Sequence, residues 1–104
     1  EPENAAILSG GSIGTHVQMG IGDGVIPAIL NTNIYNDICI VKDEEALQVS
    51  KDLAAKEGIL CGISSGAALH AALQVANRPE NAGKTLVVLL PDTGERYLST
   101  SLFG

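Results

Sequence analysis

The chain has 104 residues and a net charge of −6, with 45% hydrophobic residues and twelve glycines. That length allows one folding unit and no second full core. The six Lys and Arg residues are scattered, which disfavours a nucleic-acid groove or an anionic membrane surface, and no apolar run approaches the roughly 20 residues that span a bilayer.

The chain opens on Glu1-Pro2, without an initiator methionine or a charged-then-apolar leader, and reads as the middle of something longer. Glycines at 10, 11, 14, 20, 22 and 24 then mark a stretch whose backbone is not shaped by helix or strand propensity. Pro27 and the polar run Asn31–Asn33 extend that irregular region. Ile38–Val41 is a short apolar run that predicts a buried strand. Asp43 follows as the expected N-cap of a helix whose buried stripe is Ala46, Leu47, Ser50, Leu53 and Ala54, ended at Gly58.

Ile59–Cys61 predicts a second strand and, roughly, Ser65 to Asn77 a second helix, rich in alanine. A polar turn, Arg78–Lys84, leads to Thr85–Leu90, the strongest strand signal in the chain. Strands alternating with helices of this length predict an α/β fold with a parallel sheet and crossover helices. One or two helical turns are expected over Tyr97–Ser101.

The segment G-I-S-S-G-A-A (Gly62–Ala68) places Ser64 between a strand's carboxyl end and a helix's amino end, where open α/β sheets bind ligands. An N-capping role for these serines is the alternative reading. The G-x-G-x-G at 20–24 invites a phosphate-loop reading, but no strand leads into it and no G-K-S/T follows, so close backbone approach is favoured. His16 and His70 lack any triad or metal pattern and read as satisfied structural histidines, with no metal site expected. Asp92 and Glu95, at a strand exit, read as loop-structuring residues. Lys42, Lys51, Lys56 and Lys84 lie among polar residues at element edges, a poor setting for a catalytic amine. Cys39 and Cys61 lack a C-x-x-C or histidine partner and read as reduced core thiols.

Three segments together carry a resemblance: H-V-Q-M-G-I-G-D-G-V-I-P (His16–Pro27), G-I-S-S-G-A-A, and L-P-D-T-G-E-R-Y-L-S-T (Leu90–Thr100). The chain resembles the C-terminal part of the cysteine synthases (O-acetylserine sulfhydrylases), pyridoxal-phosphate enzymes of the tryptophan-synthase-β type. Residues 1–104 would then be the C-terminal portion of the larger cofactor-binding domain of a fold-type II enzyme. The resemblance implies replacement of acetate in O-acetylserine by sulfide to give L-cysteine, with pyridoxal 5'-phosphate as cofactor. Ser64 matches the serine that hydrogen-bonds the cofactor's pyridine nitrogen, and Gly20 matches a glycine whose backbone borders cofactor and substrate.

The same resemblance implies that the Schiff-base lysine and the phosphate-holding loop lie upstream of Glu1, so this segment alone supplies no catalytic residue. It also implies a cytoplasmic homodimer and, in many members, a complex with the C-terminal tail of serine acetyltransferase. Met19 stands where the family usually has glutamine, which leaves the amino-acid donor open. The alternatives are a related enzyme with the same cofactor, such as cystathionine β-synthase or a serine/threonine dehydratase, or a non-catalytic α/β fragment acting as a binding or dimerisation module.

Overall fold

Acidic residues begin the first helix and a left-handed glycine ends it. The computed structural model describes residues 1–18 and 20–94, and within them α1 spans Asp43–Asp52 and α2 spans Ile63–Ala76. Asp43, Glu44 and Glu45 fill the first turn of α1, where unpaired backbone N–H groups favour negative charge. The N-cap position belongs to Lys42 rather than to the expected Asp43, and no side chain caps the turn. The Asp43 carboxylate is instead engaged by the glycine-rich segment, whose donors lie within its reach.

Beyond Asp52 the helix widens into one π turn, Leu53–Glu57, which closes where Gly58 takes φ +68° and donates its N–H to the Leu53 carbonyl. This is the helix end expected from the sequence, and its positive φ is the reason a glycine stands there. The buried face of the helix is Ala46, Ser50 and Leu53, with Leu47 and Ala54 half-buried beside it. α2 begins two residues earlier than expected, after Gly62 in extended conformation, and buries its first five residues, Ile63 to Ala67.

The two helices meet at Gly66. A Cβ at that position would lie 2.1 Å from Ser50 Oγ and 2.2 Å from the Ala46 carbonyl oxygen. The absent side chain therefore lets α1 and α2 approach to backbone contact. Ser50 Oγ uses that proximity to donate to the Gly62 carbonyl at 2.8 Å, a bond whose net contribution is about 1 kcal/mol. Val41, Ala46, Ile63 and Ala67 form the core of the contact, with Ile21, Leu47 and Ala71 packed around it.

The expected sheet is not formed among the described residues. Val41 makes a single parallel bridge with Pro2, and Cys61 a single antiparallel bridge with Thr93. The first is a full pair of bonds, Val41 N–H to Glu1 O at 2.8 Å and Glu3 N–H to Val41 O at 2.9 Å. No backbone hydrogen bond among the described residues joins 85–90 to another segment, and Val87 and Leu89 are 90% and 80% exposed. A strand is defined by its neighbours, and among the described residues these apolar segments make isolated bridges at most and no ladder. The turns expected at Tyr97–Ser101 lie outside the described residues.

Gly66→Ala is the sharpest test of this packing. Alanine has the higher helix propensity by about 1 kcal/mol, but the collision with a backbone carbonyl outweighs it, and a net loss of about 2 kcal/mol is expected in chemical denaturation of the full-length protein. An unchanged midpoint would refute the close approach.

Candidate functional site

The first turn of α2 is buried, and two adjacent serines there are put to different uses. Ser65 donates its hydroxyl to Asp92 Oδ1 at 2.6 Å and accepts the Asp92 N–H at 3.2 Å. It is therefore a tether between α2 and the segment after residues 85–90, not the cap anticipated from sequence. Gly62 makes room for that tether, since a Cβ there would lie 2.0 Å from Asp92 Oδ2. Asp92 serves as a loop-structuring residue, in keeping with its reading from sequence.

Ser64, one residue earlier, is 5% exposed and lines a cavity of about 420 Å³. Its hydroxyl has no hydrogen-bond partner among the described residues, although it sits beside the open end of the helix. The small side chains of Ala67, Ala68 and Ala71 form one wall of the cavity, and Ile21, Cys39 and Val41 are on others. Asp37 is at the rim, where it accepts the Ile38 N–H at 2.8 Å and an Arg78 N–H at 3.1 Å. The Arg78 guanidinium and the Ile38 amide hold the Asp37 carboxyl below its ordinary value.

Gly20 does not line the same cavity. It lies on a neighbouring one of about 320 Å³, with Ile21 and Glu1 shared between the two. Its φ is +91°, and a Cβ there would find nothing within 4 Å. The backbone at Gly20 is thus strained for other residues and open to close approach. Gly22, also at positive φ, is crowded by Pro2 and by the ring of His16.

Three polar anchors hold this region, Gln18 buried and Asp43 and Glu1 half-buried, and sequence reasoning missed these pairings. Gln18 is fully buried and donates its amide to Val41 O at 3.0 Å and Asp43 Oδ1 at 2.9 Å. Asp43 Oδ2 accepts the Val17 N–H at 3.1 Å. Glu1 accepts the Leu8 N–H at 2.7 Å and both the N–H and hydroxyl of Ser9, at 3.1 and 2.9 Å. The Gln18 and Asp43 pairings join residues more than twenty positions apart, so no local motif signals them.

His16 is hydrogen-bonded on both ring nitrogens, whereas His70 Nε2 is buried in contact with a carboxylate but makes no hydrogen bond among the described residues. His16 accepts the Gln18 N–H on Nδ1 at 3.0 Å, which assigns the proton to Nε2, 2.9 Å from the Gly22 carbonyl. The carboxylate at His70 Nε2 is that of Glu45, across the two helices. Among the described residues no lysine lines the Ser64 cavity, and no group of three His, Cys, Asp or Glu could hold a metal ion. No helix among them is long and apolar enough to cross a membrane. Met19 and Glu95 lie outside the described residues.

The two thiols differ. Cys61 is buried, and that burial, with the Asp92 carboxylate second, pushes its thiol up; Cys39 is half-buried and lines the cavity. Because the thiolate is the nucleophile, iodoacetamide at neutral pH is expected to label the Cys39 peptide of the native full-length protein and spare Cys61. Equal labelling of both peptides by mass spectrometry would contradict the packing around Cys61.

Comparison with known proteins agrees with this geometry. A cysteine synthase of Staphylococcus aureus is 52% identical over all 104 residues, which make up 33% of that protein. The crystal structure of cysteine synthase from Entamoeba histolytica superposes with a TM-score of 0.96 at 45% identity, over 99% of this chain and 30% of that one. An O-acetylserine-dependent cystathionine β-synthase from Helicobacter pylori gives 0.89 at 39% identity, over 99% of this chain and 33% of that one. The chain thus spans about a third of the length of the curated relatives it matches. The pyridoxal-phosphate dependent enzyme family matches residues 1–92, and the chain belongs to that family.

Proposed function

We propose that the full-length protein is a cysteine synthase, which replaces the acetate of O-acetylserine by sulfide to give L-cysteine. The observation that carries this reading is the 52% identity to a cysteine synthase along the whole chain. The TM-score of 0.96 to a solved cysteine synthase supports it.

The residues present fit one edge of the family's cofactor. Ser64 lines the cavity with a hydroxyl able to donate to a polar atom of a bound group, and the alanine wall of the cavity leaves room for a flat ring. In this proposal Ser64 donates its hydroxyl proton to the ring nitrogen, and the positive end of α2 disfavours a proton on that nitrogen. Gly20 offers its backbone at the substrate side. When bound, pyridoxal phosphate supplies the electron sink that loosens the β-substituent of the amino acid. A hydroxyl partner leaves that sink weaker than a carboxylate would, which suits β-replacement with less diversion into transamination.

The Schiff-base lysine and the phosphate cradle belong, in this reading, to the part of the enzyme that precedes Glu1. The same part supplies the strands that turn the apolar segments 38–41, 59–61 and 85–90 into a parallel sheet. The complete enzyme is a cytoplasmic homodimer, with the C-terminal tail of serine acetyltransferase as a further partner.

The full-length protein is expected to form L-cysteine from O-acetylserine and sulfide faster than it condenses serine with homocysteine. The reverse preference would assign it to the cystathionine β-synthases. Ser64→Ala should shift the cofactor's visible absorption and lower kcat by roughly a hundredfold, the scale of losing one preorganised donor. An unchanged spectrum and rate would remove Ser64 from the site.

A further inference from the structure

We propose that Gln18 and Asp43 form a positioning clamp that holds the Gly20–Ile21 backbone against the cavities where the amino-acid substrate is bound. This rests on the reading of Gly20 and Ser64 given under the proposed function. The clamp itself stands on hydrogen bonds that the helix and the core do not need.

Asp43 occupies the first position of α1 but does not cap it. Its two carboxylate oxygens accept separate donors from one short segment, the Val17 N–H at 3.1 Å and Gln18 Nε2 at 2.9 Å. The second amide proton of Gln18 goes to Val41 O at 3.0 Å. Both partners are acceptors, so the amide can have only this orientation; the flipped group would set oxygen against oxygen. Gln18 Oε1 is buried and without a partner among the described residues, an arrangement that costs free energy. An apolar side chain would fill the same space without that cost, so the contribution of Gln18 lies in its two donated bonds.

The backbone of Gln18 passes this constraint on. Its carbonyl accepts the Ile21 N–H at 3.4 Å, and its own N–H goes to His16, whose ring reaches the Gly22 carbonyl. Ile21 in turn packs on the Val41–Ile63–Ala67 core and lines both cavities. Gly20 has no side chain to anchor it and open space beside it. Glycine-rich backbone has little conformational preference of its own, so its position must be imposed by neighbours. Without the clamp the segment would have to be ordered by the substrate, at the expense of affinity.

The test uses the full-length holoenzyme with Asp43→Ala, Asp43→Asn and Gln18→Leu. In D43A and Q18L the KM for O-acetylserine should rise roughly tenfold, as for loss of a charge-assisted hydrogen bond, while apoenzyme affinity for pyridoxal phosphate stays within about twofold. Amide exchange of a peptide covering 16–22 should quicken by at least roughly tenfold, with α2 peptides unchanged in both variants and α1 peptides unchanged in Q18L. D43N should recover part of the loss, because one side-chain oxygen still accepts, and Q18L/D43A should be no worse than D43A, because both remove one device. Unchanged KM with unchanged exchange would overturn the clamp. So would KM, cofactor affinity and helix exchange all moving together, the pattern of a merely structural role. If the wild type ignores O-acetylserine, the proposed activity fails, and the exchange measurement alone decides the clamp.

Discussion

The contact of α1 with α2 at Gly66 is the constraint from which the rest of the site follows. Because nothing projects from Gly66, Ser50 can reach the Gly62 carbonyl, and the extended residue before α2 is fixed by its neighbour helix. The direction of α2 is thus set by packing, and its N-terminus is left without a side-chain cap. That leaves Ser64 free for the cavity while Ser65 is bound to Asp92. Two chemically identical residues acquire opposite roles from a rotation of about 100° along one helix turn.

The second half of the arrangement is held by polar anchors. On the glycine-rich side the backbone is also tied by Glu1, Gln18, Asp43 and His16, each bonding backbone atoms at least six residues away in the chain. Hydrogen bonds are directional where apolar contacts are not. A glycine-rich loop can therefore be placed with definition by a few of them, the more so where the bonding group is buried, as Gln18 is.

What could be read from the sequence divides along the same line. Features set by local backbone physics were legible: Gly58 as a helix end, the Ala46–Ser50–Leu53 face, the acidic first turn, and Ser64 at the mouth of α2. Features set by distant partners were not. Asp43 has the composition of an N-cap, but two donors from Val17 and Gln18 compete for its carboxylate and win. Ser65 likewise has the look of a cap and is claimed by Asp92. The apolar runs at 59–61 and 85–90 have strand composition, yet strand formation needs a paired neighbour, and among the described residues Cys61 bridges only to Thr93. The cofactor reading of Ser64 and Gly20 came from resemblance rather than from spacing, and it is by the proposed function that the two are joined.

The exposed apolar side chains give that proposal its energetic sense. Ile40, Ile59, Leu60, Leu86, Val87 and Leu89 are 43% to 90% exposed, and covering surface of this kind contributes about 25 cal/mol per Å². Several of them belong to the same segments whose backbones form no ladder among the described residues. One set of added strands would then satisfy both deficits, burying the side chains and pairing the N–H and C=O groups. The segments meet the Ser64 cavity through Cys39, Leu89 and Pro91, so the same event would define the cavity's remaining walls. Under that proposal, the strands that complete the sheet would also close the cavity beside Ser64.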